Sequence, residues 1–260
     1  MKPLAGRTVL VTRAAGQADE LVPALERLGA RVLEAPLIAF EDPLDWGPAD
    51  RSIQGLAAYD LVLFTSANAV RRFVERLRGR GLDPSAMEGA RLVAIGPATA
   101  AAAREETHLA VEAVASDFRA EGLISLLSAG PSLAGWSVLL PRAEVAREML
   151  PESLRSLGAR VDVVPVYRTV ARKLPEAIRT LLHEGGIDVI ALTSASMAAS
   201  LVEDVGADVL ATVVVAALGP VTAQAVRALG VEPRVVAPRA TTRDLAAAIA
   251  AHFGQEPLRI

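Results

Sequence analysis

The sequence predicts an α/β fold of two doubly wound, parallel-sheet lobes. Short apolar runs of strand length alternate with amphipathic, helix-like segments, which is typical of parallel sheets with short crossovers. One such junction, Leu61 to Val70, is echoed at Ile190 to Ala198, where Thr65-Ser66 and Thr193-Ser194 lie 128 residues apart. A chain of 260 residues accommodates two domains of about 100 to 150 residues each. The internal repeat therefore favours two similar lobes.

Each half begins with a strand, a helix and a second strand. In the first half, residues 8–13 form a predicted strand, and residues 19–28 form an amphipathic helix that Gly29 closes as a left-handed C-cap. The strand end and the glycine recur at Arg142 and Gly158, each 129 residues after its counterpart. These are two copies of one strand-helix-strand unit.

A proline-containing, extended segment follows each copy, at 35–40 and at 164–169. Proline restricts the preceding residue to extended geometry and cannot donate to a central ladder, so both segments are predicted as exposed linking strands. They could run side by side as a bridge between the lobes.

The remaining elements repeat as well. The junctions at 65–68 and 193–196 each lead from a buried strand into a helix. Further along each half, a strand ends in Gly-Pro, at Gly96 and at Gly219, and a helix is predicted to begin at the proline. Proline is tolerated near the first helical position because the N–H group that it lacks would have no partner within the helix. A last strand and a last helix then close each half, and these helices are predicted over 117–127 and 241–253.

Two arrangements fit this repeat. In one, residues 1 to about 130 form one lobe and the remainder forms the other. In the exchanged one, the first strand-helix unit packs with the C-terminal half, and the chain crosses out and back along the two proline-containing strands. The residues alone do not choose between them.

Composition argues against several classes of function. Hydrophobic residues make up 52% of the chain, yet no apolar run approaches the roughly 18 residues that span a membrane. The chain has no cysteine, and its three histidines lie far apart, so we expect no thiolate chemistry and no metal site. A net charge of -3 and an aromatic content of 3% argue against a nucleic-acid partner. The N-terminus resembles an ordinary strand rather than a signal peptide, so we expect a cytoplasmic protein, with a monomer as the default state.

The candidate binding elements are four turns at which a strand passes into a helix. In an open parallel sheet, ligands bind beyond the carboxyl ends of the strands, where helix N-termini offer unpaired N–H groups and about half a positive charge. Such turns suit carboxylates or phosphates. The alternative is ordinary helix capping, although capping does not require the repeated Thr-Ser-Ala and Gly-Pro-x-Thr patterns. The four turns are residues 65–68, 96–99, 193–196 and 219–222.

Three side chains add to these turns. Arg13 and Arg142 lie at matching strand ends, where a guanidinium could pair bidentately with a carboxylate; the alternative at each position is a local salt bridge. Tyr167 lies on the second linking strand, from which its phenol could reach a cleft between the lobes; the alternative is a packing role. The chain contains neither a Gly-x-x-x-x-Gly-Lys nor a Gly-x-Gly-x-x-Gly motif, which argues against ATP and dinucleotides.

A set of short motifs occurs in a defined order along the chain: Val9-Leu-Val-Thr-Arg13, Phe64-Thr-Ser-Ala-Asn-Ala69, Ala94-Ile-Gly-Pro-Ala-Thr99, Leu140-Pro-Arg142, Gly158-Ala-Arg-Val-Asp-Val-Val-Pro-Val-Tyr-Arg-Thr169, Thr193-Ser194 and Ala217-Leu-Gly-Pro-Val-Thr222. With these motifs, the chain resembles the uroporphyrinogen-III synthase family over almost its full length. The resemblance implies the exchanged arrangement, with two α/β lobes joined by a two-stranded ladder. It assigns 1–37 with 169–260 to one lobe, 43–164 to the other, and 38–42 with 165–168 to the linking strands.

The resemblance implies an enzyme that closes linear hydroxymethylbilane to uroporphyrinogen III, with loss of its hydroxyl as water and inversion of pyrrole ring D. It implies no metal or organic cofactor. The substrate would be folded in the cleft between the lobes, mainly by backbone N–H groups, so that catalysis consists of orientation and electrostatic stabilisation. The competing class is a non-catalytic, two-lobed binding protein for an anionic small molecule, and the absence of a signal peptide argues against it.

Residue by residue, the resemblance assigns Tyr167 to assisting hydroxyl departure, and Thr222 to lining the cleft as the second catalytic candidate. The substrate-binding candidates, which include the two arginines, are Arg13, Thr65, Ser66, Ala67, Asn68, Gly96, Ala98, Thr99, Arg142, Ser194, Ala195, Gly219 and Val221.

Overall fold

The structure is a computed structural model that describes residues 2–13 and 20–254. Within this part of the chain, every helix is too short or too polar to cross a bilayer. The strands are β1 (Thr8–Val11), β2 (Arg31–Glu34), β3 (Ile38–Glu41), β4 (Leu61–Phe64), β5 (Arg91–Ala94), β6 (Val111–Val114), β7 (Ser137–Ala143), β8 (Arg160–Ala171), β9 (Val189–Leu192), β10 (Val214–Ala217) and β11 (Val235–Val236). The helices are α1 (Leu21–Arg27), α2 (Gly47–Gln54), α3 (Ala67–Gly79), α4 (Pro97–Thr107), α5 (Ala120–Ser128), α6 (Met149–Ser156), α7 (Glu176–His183), α8 (Ala195–Val205), α9 (Ala207–Ala211), α10 (Pro220–Ala228) and α11 (Thr242–Gly254).

The first compact unit comprises the described residues of 1–39 and 170–260. Its sheet has the strand order β11-β10-β9-β1-β2, and each neighbouring pair runs parallel. Because β1 lies between β9 and β2, the first strand-helix-strand unit shares a sheet with the C-terminal half of the chain. The strand order is therefore that of the exchanged arrangement.

An aspartate joins these two distant parts of the first unit. The Asp188 carboxylate accepts hydrogen bonds from the Thr8 backbone N–H and from Arg7 Nη1, both at 2.8 Å. Alternation along β1 then directs side chains to both faces of the sheet. Val9 and Val11 pack into the core beneath α1 and α11, whereas Leu10 packs into the opposite core, to which α7–α10 contribute.

The second compact unit comprises residues 40–169. Its sheet has the strand order β3-β8-β7-β4-β5-β6, and the ladders of β4, β5, β6, β7 and β8 are parallel. Helices again cover both faces. Val62 and Phe64 of β4 pack with α2, α3 and α4, whereas Leu61 and Leu63 pack on the other face with α5 and α6. The predicted parallel, doubly wound fold class is thus observed in each sheet.

The segments predicted as separate linking strands belong to the edge of this second sheet. β3 lies beside β8, and the residues around Pro165 continue β8 rather than forming a strand of their own. Pro165 pairs with Arg142 of β7, and the register shifts immediately afterwards, between Arg142 and Ala143. Such an irregularity near a strand end is where a sheet accommodates a residue that lacks an N–H group.

Two local boundaries show what sequence periodicity resolves and what it misses. Gly29 follows α1 with a φ of +99°, and its repeat counterpart Gly158 follows α6 with a φ of +89°, so both glycines have the left-handed conformation that was predicted for Gly29. The helix predicted from residue 117 begins only at Ala120. Asp117 instead accepts a hydrogen bond from the Arg119 N–H, and Phe118 has a φ of +56°, so this segment forms a turn. Residue 19, the predicted start of the first helix, lies outside the described residues.

The Asp188 contacts predict a stability effect. The variant Asp188→Asn loses the charge that holds Arg7 and the Thr8 N–H, so we expect the free energy of unfolding to fall by about 1–2 kcal/mol. Urea unfolding followed by circular dichroism measures the change. Glu203→Gln, which removes a charge from an exposed position of α8, is the control and should change it by less than about 0.5 kcal/mol. Equal effects of the two variants would show that Asp188 has no special role in joining β1 to the sheet.

Candidate active site

The turn after β4 presents the N-terminus of α3. Ser66 has an extended backbone, and its Oγ accepts a hydrogen bond from the Ala69 N–H at 3.0 Å, so Ser66 is the N-cap. The first backbone bond of this helix runs from the Val70 N–H to the Ser66 carbonyl. The N–H groups of Ala67 and Asn68 precede it, and they therefore point out of the helix end, where an anion could accept from them. Thr65 lies in the same partly exposed turn.

The first unit repeats this turn after β9. Ser194 is the N-cap of α8, with its Oγ 3.2 Å from the Met197 N–H and 3.0 Å from the Ser196 Oγ. The first backbone bond runs from the Ala198 N–H to the Ser194 carbonyl. The N–H of Ala195 therefore occupies the same place at α8 as that of Ala67 at α3.

The two Gly-Pro turns have a different cap. Gly96 and Gly219 are the N-cap residues of α4 and α10, both with extended backbones, and neither helix receives a hydrogen bond from a capping side chain. A proline follows each glycine at the first helical position. Ala98 and Val221 come next, and Val221 is 79% exposed. Within the described residues, the capping position of these two helices thus provides no side-chain acceptor for the first N–H donors.

Thr99 and Thr222 occupy the third position of α4 and α10. Both are buried, at 5% and 7% exposure. Each precedes the first residue whose N–H bonds back to the capping glycine, Ala100 in α4 and Ala223 in α10, both at 2.9 Å. The two threonines are therefore matched positions of the repeat, one in each unit.

A loop residue approaches each capping glycine, and sequence analysis did not identify either one. A Cβ at Gly96 would lie 3.3–3.5 Å from atoms of Phe118, and a Cβ at Gly219 would lie 3.3 Å from the Ala240 Cβ. Phe118 is 59% exposed, although it is a large apolar residue. Phe118 lies in a turn, so neither helical nor strand periodicity in the sequence identifies it. Its exposure is visible only in the structure.

Tyr167 and Ser66, which are 101 residues apart, meet in the second unit. The Tyr167 hydroxyl lies 3.3 Å from the Ser66 Oγ. The Tyr167 ring is 8% exposed and packs edge-to-face against Phe40, with 5.5 Å between the ring centroids. The ring therefore has the packing role that was one alternative for this tyrosine, and its hydroxyl contacts the capping serine of a candidate binding turn.

Arg13 and Arg142 were predicted to pair with a ligand carboxylate, and the structure shows a different environment for Arg142. The Arg142 side chain is 8% exposed, its Nη1 donates to the Arg147 carbonyl at 3.0 Å, and its Nη2 pairs with Glu148. The structure thus shows the local salt bridge that was the alternative for Arg142. A substrate carboxylate would have to displace Glu148, whose side chain is 56% exposed. Arg13 follows β1 and is partly exposed, and it adjoins residues outside the described part.

The arrangement can bind anions at the carboxyl ends of the strands in each sheet. β4 and β5 are parallel neighbours, so the turns at 65–68 and 96–99 lie at the same edge, and Tyr167 is beside the first of them. β9 and β10 are likewise parallel neighbours, which places 193–196 and 219–222 at one edge of the first unit. Among residues 2–13 and 20–254, no cluster of three or more acidic or histidine side chains could hold a metal ion.

Comparison with known proteins gives these turns a context. A family model described as uroporphyrinogen-III synthase HemD matches residues 19–247. A uroporphyrinogen-III synthase from Synechococcus elongatus is 31% identical over 231 residues, which cover 85% of this chain and 86% of that protein. The crystal structure of a mutant uroporphyrinogen III synthase from the extremely thermophilic bacterium Thermus thermophilus is 25% identical, with a TM-score of 0.65 over 96% of this chain and 100% of that one.

A second solved structure supports the fold alone. The uroporphyrinogen-III synthetase of Helicobacter pylori is 18% identical and has a TM-score of 0.63, covering 95% of this chain and 99% of that one. The family match spans the four turns and Tyr167. The chain belongs to the uroporphyrinogen-III synthase family, the cyclising enzymes of tetrapyrrole biosynthesis.

Proposed function

We propose that this chain closes linear hydroxymethylbilane to uroporphyrinogen III, with inversion of ring D, by means of its four helix N-termini and a single phenol. The observation that carries this mechanism is the contact between the Tyr167 hydroxyl and the capping Ser66 Oγ, at 3.3 Å. This contact places a phenol, which can donate a proton, beside the N-terminus of α3 in a chain of this enzyme family.

The helix N-termini would hold the carboxylates of the substrate. The N–H groups at Ala67, Asn68 and Ala195 and at the two Gly-Pro turns are fixed by the helices that they begin, so they need no reorganisation when a carboxylate arrives. A flexible linear tetrapyrrole would thereby be restricted to fewer conformations. Much of the barrier would then be removed by orientation.

The phenol would assist the loss of water. Ser66 Oγ accepts from the Ala69 N–H, so its own hydrogen is free to donate to the Tyr167 oxygen. The phenolic hydrogen is then directed away from Ser66. As the substrate C–O bond breaks, this hydrogen joins the departing hydroxyl to form water, and an azafulvene cation remains.

Ring closure would return the proton. Ring D attacks the azafulvene carbon through its substituted α-carbon and forms a spiro-pyrrolenine intermediate. The bond between that α-carbon and the neighbouring methylene bridge then breaks, and the bridge bonds instead to the free α-carbon of ring D, which loses its proton. The proton that the ring carbon releases restores the Tyr167 phenol. Every step is a proton transfer or a bond change within one substrate, so the proposal requires no metal and no organic cofactor. It also takes the protein to be a cytoplasmic monomer without a nucleic-acid or membrane partner, as its composition suggests.

The direct test supplies the purified protein with freshly generated hydroxymethylbilane and separates the oxidised uroporphyrin isomers by chromatography. We expect the type III isomer to dominate without added metal or nucleotide. Formation of the spontaneous type I isomer alone would overturn the proposal, and the protein would then be tested as a binding protein for anionic molecules.

Removal of the phenolic hydroxyl should slow the chemical step. We expect Tyr167→Phe to lower kcat by about 10- to 100-fold, because general acid assistance is lost while the ring still packs against Phe40. Initial rates of type III formation measure this change. Thr212→Val, which removes an exposed hydroxyl that bonds the Val209 carbonyl, is the control and should retain full activity. Unchanged turnover of the Tyr167→Phe protein would remove the phenol from the mechanism.

The two capping serines allow a matched comparison. Ser66→Ala and Ser194→Ala each lose one helix cap, at a cost of about 1 kcal/mol of stability. Only Ser66 also contacts a tyrosine, so we expect Ser66→Ala to lower kcat by about a further fivefold relative to Ser194→Ala, the size of one lost neutral hydrogen bond. Thermal unfolding and steady-state kinetics separate the two effects. Equal kcat values in the two variants would show that Ser66 serves only as a cap.

A negative charge at an exposed helix N-terminus should oppose the substrate. Val221→Glu places a carboxylate beside the donors of α10, and we expect KM to rise by about tenfold through repulsion of a substrate carboxylate. The same charge favours the helix dipole, so thermal stability should be unchanged or slightly higher. Val221→Gln is the neutral control and should keep the original KM. Equal KM values for the Glu and Gln variants would exclude this turn from substrate binding.

A further inference from the structure

A groove of about 620 Å³ lies at the other end of the six-stranded sheet from the candidate binding turns. Tyr59, which lines it, precedes β4, and Arg160, which also lines it, begins β8. β4 has four residues, so it separates Tyr59 from the turn at 65–68 by about 13 Å. The groove is thus distinct from the turns that we assign to the substrate.

One wall of the groove is the edge of a strand. Five consecutive residues of β8, 160–164, line it. A sheet face would present alternate residues only, whereas a strand edge presents every residue along its length. Helix α2 contributes the opposite wall, including Arg51 and Ser52. β3, the neighbour of β8 on this side of the sheet, has four residues against twelve in β8, so part of the β8 edge extends beyond β3.

The polar groups at the base of the groove are already paired. The Tyr59 hydroxyl donates to the Asp162 Oδ2 at 2.7 Å and lies 3.0 Å from the Ser52 Oγ. Tyr59 and Ser52 are each 7% exposed. Burial raises the pKa of Tyr59, with a further contribution from Asp162, so the phenol keeps its proton at neutral pH. The Asp162 carboxylate of the lining thus has a hydrogen-bond donor.

Three guanidinium groups line the same groove: Arg51 of α2, Arg155 of α6 and Arg160 of β8. Arg155 Nη2 donates to the Val161 carbonyl at 3.3 Å, and Arg160 Nη2 donates to the Ser137 Oγ at 3.2 Å. A guanidinium has five N–H donors in a planar fork, so each of these contacts leaves donors for a ligand. The described lining has one carboxylate, Asp162, which Arg160 Nη2 approaches to 3.8 Å, so three guanidinium groups against one carboxylate leave a net positive charge.

We propose that this groove binds a small oxyanion with at least two charged groups, of the phosphate or carboxylate class. Guanidinium groups that come from three different elements can contact separate oxyanion groups of one ligand, and each contact can be bidentate. The volume lies in the range of small-molecule sites. A monovalent anion would leave at least one guanidinium without a counter-charge, so multivalent anions bind more tightly than monovalent ones.

Isothermal titration calorimetry of the full chain tests this site. Pyrophosphate and citrate are the probes for the phosphate and carboxylate classes, acetate is the monovalent probe, and the buffer contains about 50 mM salt. We expect one equivalent of pyrophosphate or citrate to bind at least about tenfold more tightly than acetate, and Kd to rise when salt is added.

Variants locate the binding. Arg51→Gln and Arg155→Gln should each raise Kd for the tighter probe by about tenfold, the size of a lost charge-assisted hydrogen bond. Both side chains are exposed, so the variants should fold, and thermal unfolding checks this. Arg234→Gln is the matched control, because Arg234 is also exposed and donates to a backbone carbonyl, that of Ala211 at 3.2 Å; it should leave Kd unchanged. The proposal is overturned if neither probe binds, if the Arg51 and Arg155 variants bind as the original chain does, or if Arg234→Gln weakens binding equally.

Discussion

The parallel direction of neighbouring strands is the constraint on which the candidate site depends. Phe64 and Ala94 pair at the ends of β4 and β5, so α3 and α4 begin at the same edge of the second unit. Leu192 and Ala217 pair in the same way at the ends of β9 and β10 in the first unit. The N–H groups that no intrahelical bond can use are thereby gathered at one edge of each sheet. Under the proposed function, these local donors would hold substrate carboxylates even though the net charge of the chain is -3.

The serine caps and the Gly-Pro caps leave different backbone N–H groups without a capping side chain. A serine cap uses its hydroxyl to satisfy the third N–H of the helix and leaves the first two N–H groups for a ligand, as at Ser66 and Ser194. A Gly-Pro cap removes the first donor by means of proline and satisfies none of the others with a side chain, as at Gly96 and Gly219. A Cβ at either glycine would lie 3.3 Å from a neighbour, Phe118 at Gly96 and Ala240 at Gly219, so a larger residue would require that neighbour to shift. The turn sequences are therefore set by access to the backbone as much as by helix capping.

Sequence reasoning succeeded where the signal is local or repeated, and failed where distant residues decide. The alternation of apolar, strand-length runs with helix-like segments predicted the parallel sheets, and a glycine directly after an amphipathic segment predicted the left-handed end of α1. The choice between the two lobe arrangements depends on which sheet contains β1. The pairing of β1 with β9 joins residues about 180 positions apart, and no local sequence pattern encodes it. Only the family resemblance predicted the observed strand order. The local ion pair of Arg142 depends on the turn that brings Glu148 back to it. The groove lined by Arg51, Arg155 and Arg160 likewise lies between α2 and residues 160–164 of β8, and no sequence motif predicted it.

The repeat also explains why the proposed chemistry would act on one end of the substrate only. Both units carry a Thr-Ser turn and a Gly-Pro turn, so the set of donors for carboxylates is duplicated. The tyrosine is not duplicated. Tyr167 lies 129 residues after Ile38, the residue at the corresponding place in the first copy, and isoleucine has no proton to donate. Ser194 caps α8 and contacts Ser196 rather than a tyrosine, so of the two serine turns only the one at Ser66 has a phenol beside it. A linear tetrapyrrole carries carboxylates along its whole length but has one hydroxyl, and a duplicated framework with one phenol matches that asymmetry.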